Sequence, residues 1–395
     1  MKIRVAVIFG GESCEHEISC ISANQALHAL NKDKYEVVPV YVSKEREFYT
    51  GELLFDLSNY RDLNVLTSKL KKVYFIKNGN KSYLRFDKKG MFTKDIEIDV
   101  AMPIMHGTNG EDGTIQGVLE MVKLPYTTSN VGSSAVGQDK VMMKQILESS
   151  NINICSWFWL YGFEFKDNKD IYIEKANKLG YPVIIKPANL GSSIGIEIAH
   201  NDNEFISSII ECSKYDTKIA VEKLVEDLLE INCSVLGNRY NCKASVLEEV
   251  FKNDEILSFD DKYQPNGSKS KLSGSKKLNS KIPSGSKGMA STSRCVPARI
   301  SEELTSEIQS MAIDTFKVLG SSGVVRIDFM INQTTNEVFV NEINSIPGSL
   351  ANYLWTPLGY SFSDLLEELI KIAIDNKRYS EKMIYSFDTN ILKNF

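Results

Sequence analysis

The 395-residue chain has no uninterrupted apolar run long enough to cross a bilayer, and its start, "MKIRVAVIFGG", is a charged opening with a short apolar run that ends in glycines. Both absences predict a cytoplasmic protein without a membrane partner. Positive charge is not in excess either: 46 Lys and Arg against 51 Asp and Glu give a net charge of −5, which argues against nucleic acid as a partner. Cysteine is sparse and scattered, at Cys14, Cys20, Cys155, Cys212, Cys233, Cys242 and Cys295. An odd set without a CxxC pair excludes a disulfide framework and a structural zinc site, and leaves small core residues. The tetrapeptide "CEHE" has its ligand types too close together, with no second His or Cys group nearby, to hold a metal. Two nucleotide signatures are missing as well, the GxGxxG dinucleotide fingerprint and the GxxxxGK[ST] P-loop.

What is present is 43% apolar content in a chain long enough for about two or three domains. The early runs "IRVAVIFGG", "EVVPVYV" and "IDVAMPIMHG" read as strands, with helical patterns such as "ISANQALHAL" and "IQGVLEMV" between and after them. That order predicts an α/β domain over residues 1–137 with a parallel sheet covered by helices, and functional groups on loops beyond the carboxyl ends of its strands. From Asp139 onward the pattern becomes α+β, which predicts a small domain over 138–225 and a larger one over 226–395. Inside the last lies "QPNGSKSKLSGSKKLNSKIPSGSKG", residues 264–288, too poor in apolar residues to pack a core. A long loop over 260–294 is therefore expected, either a functional lid or an insertion within one.

Four segments carry chemistry. "GVVRIDFMIN" and "NEVFVNEINS" read as a hairpin, and a three-residue loop at 334–336 would set Gln333 opposite Glu337, Asp328 opposite Glu342, and Arg326 opposite Asn344. Phe339, Asn341 and Ile343 would then form the other row. Two facing carboxylates repel unless a cation lies between them; Asp, Glu and an amide oxygen are hard ligands of the kind Mg²⁺ accepts beside phosphates, although an exposed strand could also carry solvated charges. In "IIKPANLGSSIGI", Lys186 closes an apolar strand and a loop with Ser192 and Ser193 offers hydroxyl and backbone N–H groups to phosphate. "FGGESCEHEIS" ends a strand at Gly10 and Gly11 and starts a helix whose N–H groups favour anions. "MHGTNGEDGTIQG" brings His106, Glu111 and Asp112 to another Gly-rich turn, where "EDGT" reads equally well as a helix cap.

Taken together, "VAVIFGGESCEHEIS", "MHGTNGEDGTIQGVLE", "GQDKVMMK", "PVIIKPANLGSSIGI", "EINCSVLG", "DKY", "RIDFM" and "NEINSIPGSL" resemble, in order and over almost the whole chain, the D-alanine–D-alanine ligases of the ATP-grasp superfamily. The resemblance implies an ATP-grasp fold, with an N-terminal α/β domain and two α+β domains that sandwich ATP. It implies that Lys140, Lys186 and Ser193 bind ATP phosphates, that Glu222, Lys223 and Leu224 line the adenine pocket, and that Glu230 holds the ribose. Asp328, Glu342 and Asn344 would hold two Mg²⁺ or Mn²⁺ ions. Glu15 would take the ammonium of the first D-alanine with His106 beside it, Arg326 and the Gly348 N–H would stabilise the oxyanion, and Ser192 and Tyr263 would join Glu15 in a triad that fastens the lid. Lys262, Ser349 and Tyr353 would serve the second D-alanine. The implied protein is a homodimer that makes the peptidoglycan dipeptide.

Three departures from the common pattern stand out: the Lys/Ser-rich insert after Tyr263, Tyr353 where many relatives have Ser, and the acidic "VEDLLEIN" near Glu230. A D-alanine–D-serine or D-alanine–D-lactate ligase, or a non-catalytic nucleotide-binding regulator, are the alternatives. A dinucleotide oxidoreductase is opposed by the missing fingerprint.

Overall fold

The computed structural model describes residues 2–88, 90, 93–251, 294–387, 389 and 391–394. Three sheets organise them. The first contains β1 (Ile3–Gly10), β2 (Tyr35–Val42), β3 (Phe48–Thr50), β4 (Lys71–Asn78), β5 (Lys81–Phe86), β6 (Ile96–Ile98) and β7 (Val100–Pro103), in the order β6-β5-β4-β3-β2-β1-β7. β1 pairs in parallel with β2 on one side and β7 on the other, and Val5 to Phe9 have no exposure, as a strand covered on both faces requires. Beyond β2 the sheet continues through four antiparallel strands that the apolar runs did not announce.

The second sheet holds β8 (Trp157–Tyr161), β9 (Val183–Pro187), β10 (Glu197–Ala199) and β11 (Lys218–Lys223), all antiparallel, in the order β10-β9-β11-β8. Phe205 and Ile209 of the helix Asp202–Cys212 seal one of its faces with Val183, Ile185 and Val221. The third sheet is β12 (Leu228–Gly237), β13 (Cys242–Val250), β14 (Arg294–Cys295), β15 (Gly323–Asn332) and β16 (Val338–Asn344), in the order β14-β13-β12-β15-β16. Apart from two bulges its alternation holds. Ile231, Cys233, Ile327, Phe329 and Ile343 face a core shared with Ile308, Ala312 and Phe316 of the helix Glu302–Val318. On the opposite face, direct pairing sets Glu248, Asn232, Asp328 and Glu342 in one lateral row across four strands.

The β15–β16 hairpin matches the expected pairing of Asp328 with Glu342 and Arg326 with Asn344 by a different route. The loop is four residues, 333–336, because Asn332 pairs with Glu337 through an N–H···O bond of 3.0 Å; Gln333 does not face Glu337. A bulge between Asp328 and Phe329 then absorbs one residue, Asn341, and restores the expected register. The bulge also takes Asn341 out of the outer row and into the cleft.

The C-terminal helix Phe362–Ser380, opened by a Ser361–Asp364 capping box, contributes Leu365, Leu366, Leu369 and Ile370 to a core that also contains Val5, Val7, Phe9 and Met102 of the first sheet and Val324 of the third. Its apolar stripe therefore ties the first sheet to the third.

Candidate active site

A cleft runs between the second and third sheets and reaches the loops of the first, and Glu15, Lys140, Lys186, Ser192, Arg326, Asp328 and Glu342 are among the residues that line it. At one end Lys186, near the end of strand β9, donates to Glu222 Oε2 at 3.1 Å and to Asn341 Oδ1 at 3.0 Å. Lys140 opens the helix Lys140–Ser149, whose N-cap Asp139 accepts from the N–H groups of Val141 and Met142. Its ammonium donates to the Leu190 carbonyl at 2.7 Å and lies 3.7 Å from Glu342 Oε2. Two lysines from separate elements thus point at the acidic row of the third sheet.

Glu222 lies behind the cleft wall rather than on it. It has no exposure and takes Lys144 and Lys186 at 3.1 Å each. Burial by itself would push its carboxyl up; the two ammonium groups outweigh burial and hold it below the ordinary carboxylate range. Burial likewise works against charge on Lys186, and the fields of Glu222 and Glu342 keep its ammonium above the usual value. Lys144, four residues along the helix from Lys140 and so on the same face, went unrecognised in the sequence because a lysine there reads as a solvated side chain. Glu222 Oε1 is buried with no hydrogen-bond partner among the described residues. Lys223, Leu224 and Glu230 line the cleft beyond it, the Lys223 ammonium tied to the carbonyls of Gly180 and Tyr181 at 2.9 and 3.1 Å.

The Gly/Ser loop after β9 crosses to the first sheet. Ser192 and Ser193 adopt left-handed φ values of 55° and 60°, and the Ser192 hydroxyl donates to Glu15 Oε1 at 2.5 Å. Glu15 sits at the start of the helix His16–Ala29. Gly107 must be glycine beside it: φ is 71°, and a Cβ there would come within 2.9 Å of Glu15 Oε2 and 2.7 Å of Ser13 Oγ. Two members of the expected triad meet in this way; Tyr263, with Lys262 and most of the loop 260–294, lies outside the described residues.

At the other end the Arg326 fork takes Asp328 in two bonds, Nε to Oδ1 at 2.6 Å and Nη2 to Oδ2 at 2.7 Å, and Asn344 Nδ2 donates to Asp328 Oδ2 at 3.1 Å. Burial opposes the Arg326 charge, and Asp328 more than restores it. The turn that follows β16 is strapped from four directions. Glu111 Oε1 accepts from the Ile346 N–H at 2.7 Å; His106 Nδ1 donates to the Ile346 carbonyl at 2.7 Å; Ser22 Oγ accepts from the Ser349 N–H at 3.1 Å; and the Ser349 hydroxyl donates to Gln25 Oε1 at 2.7 Å. Because the carbonyl takes a proton from Nδ1, His106 Nε2 accepts from the Ser22 hydroxyl at 3.0 Å, and burial holds the imidazole neutral. His106 and Ser349 are thus spent on supporting the Gly348 turn and do not line the cleft.

Glu111 lines the cleft and its other oxygen accepts from the Gly107 N–H at 2.9 Å. Burial, reinforced by the Glu15 charge, pushes its carboxyl up to about 7 against the pull of the two N–H groups. "EDGT" combined both readings: Asp112 caps the turn, accepting from Asn109 and Thr114 N–H, while Glu111 turns inward.

Among the described residues no group of three or more His, Cys, Asp or Glu side chains is arranged to hold a metal ion. Asp328 and Glu342, face to face across β15 and β16 with the Asn344 amide beside them, still form a donor set of hard oxygens that fits Mg²⁺ or Mn²⁺, with Arg326 as the cation that Asp328 takes here.

Family profiles described as "D-ala D-ala ligase N-terminus" and "D-ala D-ala ligase C-terminus" match residues 4–129 and residues 146–291 and 278–371. The chain is 38% identical over 393 residues to a D-alanine–D-alanine ligase of Thermosipho melanesiensis, covering 99% of this chain and 98% of the relative, and 36% identical over 387 residues to D-alanine–D-alanine ligase B of Clostridium tetani, covering 95% of each. Among solved structures it is similar to the D-alanine–D-alanine ligase of Coxiella burnetii, with a TM-score of 0.78 at 27% identity over 96% of both chains. It is similar also to the VanG D-Ala:D-Ser ligase of Enterococcus faecalis, with a TM-score of 0.76 at 26% identity over 94% of this chain and 100% of the other. With an ATP-grasp arrangement of sheets and these matches along its whole length, the chain belongs to the D-alanine–D-alanine ligase family.

Proposed function

We propose that the protein joins two D-alanine molecules into D-alanyl-D-alanine at the expense of ATP, by way of D-alanyl phosphate, to supply peptidoglycan. The observation that carries the reading is the convergence of Lys140 and Lys186 on the row that holds Asp328 and Glu342, with Arg326 two pairs further along the same face of the hairpin. A carboxylate is a poor electrophile. An oxygen of the first D-alanine therefore takes the γ-phosphoryl, ADP leaves, and the amine of the second attacks the activated carbonyl, releasing phosphate and a proton.

Lys140, Lys186 and Ser193 neutralise the phosphates, Lys223 and Leu224 wall the adenine, Glu230 takes the ribose, and Glu222, behind that wall, holds the Lys186 ammonium in place. Glu15 receives the ammonium of the first D-alanine. Asp328 occupies Nε and Nη2 of Arg326, and the remaining Nη1 edge, with the Gly348 N–H held by the strapped turn, faces the developing oxyanion. Mg²⁺ or Mn²⁺ on Asp328, Glu342 and Asn344 would supply charge neutralisation at the phosphates. Lys262 and Tyr263 would close over the site with Ser192, excluding water from an intermediate that hydrolysis would destroy. Tyr353 belongs to the second substrate, Ser349 and His106 to the turn behind it.

We further propose the division 1–137, 138–225 and 226–395, a cytoplasmic location and a homodimeric state. No helix among the described residues is long and apolar enough to cross a membrane.

The test is ADP release and product mass with ATP and D-alanine alone, then with D-serine or D-lactate added. D-alanyl-D-alanine from D-alanine alone is expected. A D-alanine–D-serine ligase is the second reading, since the TM-scores of 0.78 and 0.76 do not separate the two specificities; turnover only with D-serine would replace the first reading by it.

A further inference from the structure

Among the described residues six carboxyl groups line the cleft: Glu15, Glu111, Glu230, Glu248, Asp328 and Glu342. Five have a place in the reading above or in the strap behind Gly348; Glu248 has none, although it extends the acidic row of the third sheet by two strands beyond Asp328. It is 3% exposed, and its two oxygens are treated differently. Oε2 accepts from the Tyr353 hydroxyl at 2.6 Å and from Asn232 Nδ2 at 2.9 Å. Oε1 has only a long contact, 3.4 Å, from Arg294 Nη1. An ionised carboxylate has about four acceptor positions, so Oε1 retains capacity for a donor from the cleft. Tyr353 is fixed in turn, with the Arg294 guanidinium 4.3 Å above its ring. One oxygen is clamped and the other carries only the long Arg294 contact, on a side chain that lines the cleft together with Arg326.

Resting on the ligase reading, we infer that Glu248 is the specificity-determining residue for the second substrate: Oε1 receives the ammonium of the incoming amino acid, with Arg294 as the adjacent cation for its carboxylate. A zwitterion matches this acid–base pair. A hydroxy acid brings the carboxylate alone and leaves Glu248 Oε1 with no more than its long ion pair to Arg294, a cation the substrate carboxylate draws on as well, so the site discriminates against D-lactate by charge as well as by shape. Tyr353, at the position where the family pattern commonly has Ser, is the positioning residue that holds the carboxylate's other oxygen.

The experiment compares wild type, Glu248→Gln and Glu248→Asp in two assays. The first is D-alanine-dependent positional isotope exchange in ATP, which reads D-alanyl phosphate formation and the integrity of the fold. The second is product mass with D-alanine and D-lactate in competition, together with the KM for the second D-alanine. Glu248→Gln is expected to retain isotope exchange, to raise the KM for the second D-alanine about tenfold or more, and to raise the depsipeptide-to-dipeptide ratio. Glu248→Asp, which keeps the charge, is expected to recover the amine preference. The inference is overturned if Glu248→Gln matches wild type in both KM and product ratio, or if the two variants are equally impaired with the ratio unmoved, which is the signature of a structural role. A wild type that shows no isotope exchange with D-alanine overturns the ligase reading itself, and this inference with it.

Discussion

Glu222 and Glu111 sit toward opposite ends of one cleft, each with almost no exposure, and the protein treats them in opposite ways. Glu222 is flanked by Lys144 and Lys186, and two ammonium groups overcome its desolvation. Glu111 has no cation within bonding reach among the described residues; two backbone N–H groups hold it, Glu15 repels it, and its proton is retained up to about 7. Burial does not decide whether a carboxylate is charged; the company it keeps does. The Glu222 end of the cleft is therefore built as a fixed charge array, and the Glu111 end as a hydrogen-bonded frame whose charge changes near neutral pH.

The largest effect that would break this contrast is at Glu222. Glu222→Ala strands two buried ammonium groups and is expected to destabilise the protein by about 3–5 kcal/mol in urea unfolding. A loss under about 1 kcal/mol would mean that the lysines do not depend on it.

The second prediction concerns pH. For Glu111 the folded state binds its proton up to about 7, whereas the unfolded state releases it near 4.5. Between those values the folded state carries more protons, so stability falls as pH rises from about 4.5 through 7 and levels off above; the full span is roughly 3 kcal/mol. Unfolding of wild type and Glu111→Gln at a series of pH values should show the slope in the first and its loss in the second. Parallel profiles would remove Glu111 from the comparison.

Lys144→Met sharpens the contrast from the other side. Glu222 keeps Lys186, so a smaller loss, on the order of 1–2 kcal/mol, is expected. The smallest effect is at Asn341: Asn341→Ala removes one of two acceptors of Lys186 and should raise the KM for ATP several-fold, as expected for a hydrogen bond of about 1 kcal/mol, with little change in melting temperature.

The same contrast explains what could be read beforehand. Asp328, Glu342, Asn344 and Arg326 were legible because strand alternation is local and strict, and they came out in register even though the loop is one residue longer than expected. The bulge that absorbed the difference leaves no mark in a pattern of alternating residues, and Asn341 was misplaced for that reason. Lys144 and Glu248 were hidden differently: each is a charge at a position whose burial depends on an element far away in the chain, β11 for one and the turn ending at Tyr353 for the other. Glu222 was legible as a site residue but not as the hub between two lysines. Ser192 and Glu15 were paired by the family pattern alone, since nothing local relates residues 177 positions apart.

The helix His16–Ala29 begins next to Glu15 and carries Ser22 and Gln25, which grip Ser349. On the proposed reading, the group that receives the first substrate's ammonium and the group that aims the turn at its carbonyl are mounted on one rigid rod, seven residues or about 10 Å apart. Such a rod works as a caliper. The span between the ammonium contact and the turn would then be set by helix pitch rather than by the reach of any one side chain.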